Sequence, residues 1–195
     1  MSEIIFVTGN KGKVNSIQRH IKRLGINLTV TQQKLDLMEP QANTATEVSR
    51  HKARQAYKLL KQPVLVDDSS FHIAALGGFP GPYIKYMLTT IGIDGILSFM
   101  KGKTDRGAYF LSSLVFIDEA GQEHLFEDAP YPGNIVKQID DYDSETAWSE
   151  LYKIFIPDGS DKVLARMTDV ERNEIDSNRT DSYNDFCLWV KDNVS

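Results

Sequence analysis

The sequence is poor in cysteine, in excess basic charge and in long apolar runs, and each shortage removes a class of protein. One cysteine, Cys187, among 195 residues rules out an intramolecular disulfide and fits a reducing compartment. Lys and Arg number 22 against 27 Asp and Glu, a net charge of −5, so a broad electrostatic hold on nucleic acid is not expected. A small anionic ligand stays open, because a local basic pocket does not need a basic protein. No segment approaches the ~20 apolar residues that cross a bilayer, and the opening MSEIIFVTGN has neither the basic patch nor the apolar run of a secretory signal. A cytoplasmic protein is the expectation. His20, His51, His72 and His124 lack metal-ligand spacing, which argues against zinc. Ser69 and Ser70 lack the Gly-x-Ser-x-Gly elbow of a serine hydrolase. What is present is ordinary for a soluble chain: 41% hydrophobic and 25% charged residues, over a length that suits one domain or two small lobes.

The first half reads as alternating strands and helices. Ile4–Val7 is a short apolar run expected to form a buried strand. Val14, Ile17, Ile21 and Leu24 follow at helical spacing, and Gly25 closes that helix. Asn27–Thr31 is a second strand candidate. Thr44 and Glu47 have capping-box spacing ahead of a helix over about 45–60. Pro63-Val64-Leu65-Val66 is a third strand, expected to end at Asp67-Asp68-Ser69-Ser70. This β-α-β-α-β order predicts an α/β sheet. Further on, LGGFPGP over 76–82 reads as a loop and Tyr83–Leu88 as a helix start. Gly107–Ile117 and Gln122–Phe126, joined by Asp118-Glu119-Ala120-Gly121, form a hairpin signal, so antiparallel strands join the sheet. Thr168 and Glu171 repeat the capping-box spacing. Tyr183, Phe186, Cys187 and Val190 at i, i+3, i+4, i+7 predict a closing helix.

Three features at or near predicted strand ends carry chemistry. The first is Thr8-Gly9-Asn10-Lys11-Gly12-Lys13, between the first strand and the first helix. A plain β–α connection with two solvated lysines accounts for it. So does an anion site, in which glycines let the backbone approach an oxyanion at a helix N-terminus. It is not a Walker A loop: two residues separate Gly9 from Gly12, and Val14 stands where Ser or Thr is needed. The second is Asp36-Leu37-Met38-Glu39 and the third Asp67-Asp68-Ser69. Lysines alone bind phosphate and carboxylates alone bind a hard cation such as Mg²⁺. Both together point to metal-dependent phosphate chemistry. Each piece alone has a plainer account: paired aspartates cap turns, Glu39 before Pro40 suits a solvated loop, and Lys52 suits a helix surface.

Taken in order, FVTGNKGK, DLMEPQ, EVSRHKA, PVLVDDSSF and ALGGFPGPYIKY resemble the inosine triphosphate pyrophosphatase (HAM1-like) family. The resemblance is dense over residues 4–90 and continues thinly to about 180. It implies hydrolysis of non-canonical purine nucleoside triphosphates, such as ITP, dITP and XTP, to monophosphate and pyrophosphate. The alternative is a catalytically weak nucleotide-binding or regulatory relative. It implies an α/β fold with an elongated mixed β-sheet flanked by helices, two lobes with a central cleft, a single ITPase-like domain over 1–195, and a homodimer. No membrane and no nucleic-acid partner are implied. Residue by residue, Thr8, Asn10 and Lys13 would hold the triphosphate, with Gly9, Lys11 and Gly12 completing the turn. Glu39 and Asp68 match positions that hold Mg²⁺, and Asp68 also matches the proton acceptor for the attacking water. Asp67 is its acidic neighbour, Ser69 would contact substrate, and Lys52 matches a phosphate lysine.

The second half departs from the family pattern. Where relatives carry Phe-Gly-(Trp/Tyr)-Asp-Pro-x-Phe, this chain has Ser149-Glu150-Leu151-Tyr152-Lys153-Ile154-Phe155, anchored by Pro157-Asp158-Gly159. Ser149 replaces the aromatic that stacks on the base, and Tyr152 replaces the aspartate that reads it. The Ser-His-Arg triplet becomes Ser177-Asn178-Arg179, and the lysine before it becomes Arg172. An altered base preference is the expectation. Trp148, Leu151 and Tyr152 have the spacing of a packing face, and Asp140-Asp141-Tyr142-Asp143-Ser144-Glu145 reads as a solvated loop rather than a second metal site.

Overall fold

The computed structural model describes residues 3–143, 147–176 and 179–193. Along the chain come β1 (Glu3–Val7), α1 (Lys11–Leu24), β2 (Thr29–Gln33), α2 (Ala45–Leu60) and β3 (Val64–Ile73). Then follow β4 (Pro80–Gly81), α3 (Ile84–Thr90), α4 (Gly92–Phe99), β5 (Gly107–Ile117), β6 (Glu123–Glu127), β7 (Tyr131–Ile135) and β8 (Phe155–Pro157). The last elements are α5 (Asp169–Asp176) and α6 (Ser182–Asn193). Among the described residues the strands form one mixed sheet in the order β2-β1-β3-β5-β7-β8, with β4 on β3 and β6 on β5. No described helix is long and apolar enough to cross a membrane.

The chain divides into two units, and β3 and β5 each give residues to both. The first unit draws on Met1–Asp68, Ser112–Asp128 and Thr180–Ser195. Here β1 pairs in parallel with β2 and with β3. Connections between parallel strands need crossovers, and α1 and α2 supply them. Asn10 caps α1 by accepting a hydrogen bond from the Gly12 N–H at 2.9 Å, and Gly25 ends it in the left-handed region at φ 64°. Thr44 and Glu47 complete the expected capping box at the start of α2. One side of this unit packs Ile5, Val7, Val64 and Val66 with Ala53 and Ala56 of α2. On the other side Phe6 meets Tyr183, and Phe116 meets Phe186, both edge-on. The four residues predicted to form the face of the closing helix, Tyr183, Phe186, Cys187 and Val190, are all buried. Burial, with Asp181 adding to it, pushes the Cys187 thiol up to about 12, so it stays an inert packing group.

The second unit comprises the described residues of Ser69–Leu111 and Ala129–Arg179. Its core gathers Phe71, Ile73, Met87, Ile96, Met100, Leu151, Ile154 and Phe155. β7 pairs with β5 and β8, both antiparallel. Gly133 allows the close approach of β8: a Cβ there would lie 2.2 Å from the Ile156 carbonyl oxygen and 2.5 Å from the Phe155 ring. Arg106 ties elements together, donating from Nε to the Ile135 carbonyl, from Nη1 to Met100 and from Nη2 to Val136.

Three expectations are corrected. The second strand spans Thr29–Gln33 rather than 27–31. The third strand does not end at Val66 but runs on to Ile73, through both aspartates. They tolerate a strand because each finds a lysine partner, as described below. The LGGFPGP stretch is not wholly loop: Pro80 and Gly81 pair with His72 and Phe71, after a cis Phe79–Pro80 bond.

Candidate active site

The sheet order β2-β1-β3 reverses the winding between β1 and β3, and in such sheets ligands bind beyond the carboxyl ends of the strands at that point. Phe6 lies level with Leu65, so the end of β1 at Val7 comes beside the stretch of β3 that leads to Asp67 and Asp68. The Thr8–Lys13 turn therefore opens next to both aspartates.

The turn is shaped by its own side chains. The Thr8 hydroxyl accepts from the Asn10 N–H at 3.0 Å, the Thr8 N–H donates to the Gln33 carbonyl at 3.1 Å, and Asn10 makes the helix cap. Gly9 has the stem of Lys34 alongside it, 3.7 Å from where a Cβ would stand. The first turn of α1 holds no acidic residue. No acidic side chain of α1 itself therefore offsets its leading N–H groups and positive dipole end.

Consecutive strand residues face opposite ways, and that separates the two aspartates. Asp68 shares the side of Val64 and Val66, which packs on α2. Lys52 of α2 meets it there, with Nζ 2.8 Å from Asp68 Oδ2 and 3.1 Å from Glu39 Oε1. Burial works against the Lys52 ammonium, but Asp68 and then Glu39 outweigh it, so its pKa is raised and the charge is secure. Glu39 belongs to the segment between β2 and α2 and is half exposed. Gln55 pins that segment: its amide donates to the Met38 carbonyl at 2.7 Å, and its carbonyl oxygen accepts from the Met38 N–H at 3.2 Å.

Asp67 points the other way and its side chain is fully buried. Lys13 Nζ lies 3.2 Å from Asp67 Oδ2 and 3.2 Å from the Asp67 carbonyl oxygen. The Tyr183 hydroxyl donates to the same Oδ2 at 2.5 Å. Burial, then the charge of Asp67, holds the Tyr183 phenol well above its usual range, so it remains a donor. Asp67 Oδ1 is buried with no hydrogen-bond partner among the described residues.

The first unit thus brings together Thr8, Gly9, Asn10, Lys11, Gly12, Lys13, Glu39, Lys52, Asp67 and Asp68. Tyr183 and Gln55 escaped the sequence reading. A tyrosine on an otherwise apolar helix face, whose hydroxyl needs a partner once buried, was the available signal for the first. Gln55 one turn from Lys52 offered none.

The remaining candidates belong to the second unit. Ser69, half-buried, follows Asp68 on β3. Arg172 donates from Nη2 to the carbonyls of Leu164 and Met167 at 3.1 and 2.9 Å, and its guanidinium lies 5.7 Å from the Tyr152 ring centroid. Arg179 donates to the Ala129 carbonyl at 2.8 Å and lies over the Tyr131 ring. Ser149 caps a 3-10 turn at Glu150–Lys153 by accepting from the Leu151 N–H. Leu151 is buried and Tyr152 packs edge-on against Phe110, the expected packing role. Asp140 pairs with Arg166, and Asp141 and Asp143 reach Lys153 while their side chains stay 95% and 92% exposed, so the described part of that loop is solvated; Ser144 and Glu145 lie outside the described residues. Ser177 and Asn178 lie outside the described residues.

The model of the Ham1 family matches residues 4–189. The chain belongs to the Ham1 family. Relatives in the family include the dITP/XTP pyrophosphatase of Thermococcus kodakarensis, 35% identical over 191 residues and 98% of each chain. The dITP/XTP pyrophosphatase of Methanopyrus kandleri is 35% identical over 193 residues, 99% of this chain and 98% of its own. The Ham1 protein of Staphylococcus aureus has the same fold, with a TM-score of 0.76 at 21% identity over 97% of this chain and 98% of that one.

Proposed function

We propose that this Ham1-family protein hydrolyses non-canonical purine nucleoside triphosphates, of the dITP and XTP kind, to monophosphate and pyrophosphate. The observation that carries the reading is two lysine–carboxylate pairs, Lys13–Asp67 and Lys52–Asp68, on either side of β3 beside a glycine-containing helix N-terminus. The names of the Thermococcus and Methanopyrus relatives supply the substrate class. The family match from residue 4 to 189 supports reading the two units as one functional domain.

Thr8, Gly9, Asn10, Lys11, Gly12 and Lys13 cradle the triphosphate in this reading, with the N–H groups of α1 facing its oxygens. An ammonium has three N–H donors. Lys13 donates one to the Asp67 carbonyl and pairs with the Asp67 carboxylate by charge, and Lys52 donates two, to Asp68 and Glu39, so each ammonium keeps a donor for phosphate. That fixed positive charge meets the negative charge that develops on the departing pyrophosphate. Asp68 accepts the proton of the attacking water, and Lys52 sets the orientation of its carboxylate. Ser69 continues the strand toward substrate.

Among the described residues no group of three or more Asp, Glu, His or Cys gathers as a metal site. Glu39 and Asp68 nevertheless fit a divalent ion of the magnesium kind, since both already converge on one positive charge, the Lys52 ammonium. Magnesium is commonly held by one or two carboxylates plus substrate phosphates. Bound there, it supplies further positive charge to the phosphate oxygens.

Arg172 and Arg179 serve the base half in this reading, where Ser149 has no ring and Tyr152 no charge with which to read a purine N–H. The protein works as a homodimer in the cytoplasm; the neighbouring exposed side chains of Phe79, Tyr83 and Tyr86 support a self-association face, and a single buried thiol suits a reducing setting. The test is kcat/KM for dITP and XTP against dATP and dGTP. The expected ratio exceeds one and stays below about a hundredfold, the scale of a lost polar reader. Preference for the standard nucleotides contradicts the proposal.

A further inference from the structure

Tyr183 lies 116 residues from Asp67 in sequence and touches its carboxylate. Three neighbours hold the tyrosine in place. Its own N–H donates to Asp181 Oδ1 at 2.9 Å, which caps α6. Asp181 Oδ2 meets His20 Nε2 at 2.8 Å, while His20 Nδ1 meets the Ser16 carbonyl oxygen at 2.9 Å. The His20 ring stacks on the Tyr183 ring at 6.1 Å between centroids, and Phe6 of β1 meets it edge-on. Ser182, next in line, donates its N–H to Asp128 at 2.8 Å. α1, the helix that begins at the phosphate turn, is thereby bound to α6 close to the hydroxyl that reaches Asp67.

Asp67 Oδ2 is shared by the Tyr183 hydroxyl and the Lys13 ammonium. Its carboxylate is fully buried and Oδ1 has no hydrogen-bond partner among the described residues. The tyrosine is therefore the group that fixes how this carboxylate is turned, and with it where Lys13 stands. We infer that Tyr183 is a positioning residue, acting through Asp67 to hold the Lys13 ammonium against the phosphates of the substrate. The closing helix then contributes to phosphate chemistry as well as to the core.

The inference rests on the reading of Lys13 as a phosphate ligand, and the experiment separates the two. Affinity for inorganic tripolyphosphate, measured by calorimetry in magnesium, is compared for the native protein, Tyr183→Phe, Lys13→Met and the double variant. Loss of the hydroxyl is expected to weaken binding about fivefold in the native background, the usual scale of one hydrogen bond. In the Lys13→Met background it should change binding by less than about twofold, because the group it positions is gone. Equal factors in both backgrounds, or no loss in either, overturn the inference, since a tyrosine that merely fills the core does not depend on Lys13. Lys13→Met binding as tightly as the native protein overturns the phosphate reading itself. A second readout is kinetic: Tyr183→Phe should lower kcat/KM for dITP severalfold while its melting curve stays cooperative. Unchanged kcat/KM overturns the positioning role.

Discussion

Replacing Lys52 by methionine keeps the apolar stem of the side chain and removes the charge that Glu39 and Asp68 share. The ammonium lies 2.8 Å from Asp68 and 3.1 Å from Glu39. Glu39 is half exposed, so its contact is screened and is given no weight. The Asp68 contact is only 17% and 16% exposed at its two ends. A hydrogen bond between charged groups is worth ~1.5–3 kcal/mol, and about 1–2 kcal/mol survives solvent screening at such a site. For a chain of this length that is a fall in Tm of roughly 2–8 °C. The pKa of Lys52 is raised above the ordinary 10.5 because Asp68 and Glu39 outweigh burial. A raised value in the folded state contributes stability that is fully present below the unfolded value and is lost only as pH rises through the folded one. The fall should therefore be constant from neutral pH up to the lysine range. The variant also leaves two carboxylates facing a position that a cation held. Magnesium at about tenfold its Kd returns about 1.4 kcal/mol, and it should stabilise Lys52→Met more than the native protein. Thermal melts of both proteins in chelator and in magnesium read the two effects. A variant that melts with the native protein in chelator, or gains no more than it from magnesium, refutes the argument.

Asn10→Ala removes the 2.9 Å cap of α1 and should cost ~1 kcal/mol in denaturant unfolding, with KM for triphosphate rising more than kcat falls. At the start of α5, Lys162 first and then Thr168 hold the Glu171 carboxyl at about 2, against an ordinary 4.5. Its contribution to the cap is present above the ordinary value and lost only as pH falls through about 2; an NMR titration of this side chain with a midpoint at 4.5 contradicts the pairing. Gly133→Ala places a Cβ 2.2 Å from the Ile156 carbonyl and should destabilise by about 3 kcal/mol or more, seen as a loss of soluble folded protein or a large fall in Tm.

What the sequence disclosed and what it hid follow from the range of the interactions. Local signals were legible: α2 occupies the expected span behind its Thr44–Glu47 box, and the Gly107–Phe126 hairpin forms. The second strand lies two residues later than its sequence pattern suggests, at 29–33 and not 27–31, since nothing local marks its edge against β1. Asp67 and Asp68 looked like a strand end because strands disfavour aspartate. Lys13, Tyr183 and Lys52, all distant in sequence, keep them in the strand. β7 and β8 went unread because their segments, YPGNI and FIP, are short and contain proline. In the site, the phosphate turn and the carboxylates were visible as residue types. The partition of the two aspartates to opposite sides of β3 depends on strand pairing and was not.

The central claim is pyrophosphohydrolysis of a nucleoside triphosphate at the Lys13–Asp68 site. Phosphorus NMR of dITP incubated with the protein and magnesium tests it most directly. The account predicts dIMP and pyrophosphate in equal amounts, with Asp68→Asn slower by about 10²–10⁴-fold, the scale of a lost general base, while still folded. Release of orthophosphate, or native rates from Asp68→Asn, would contradict it.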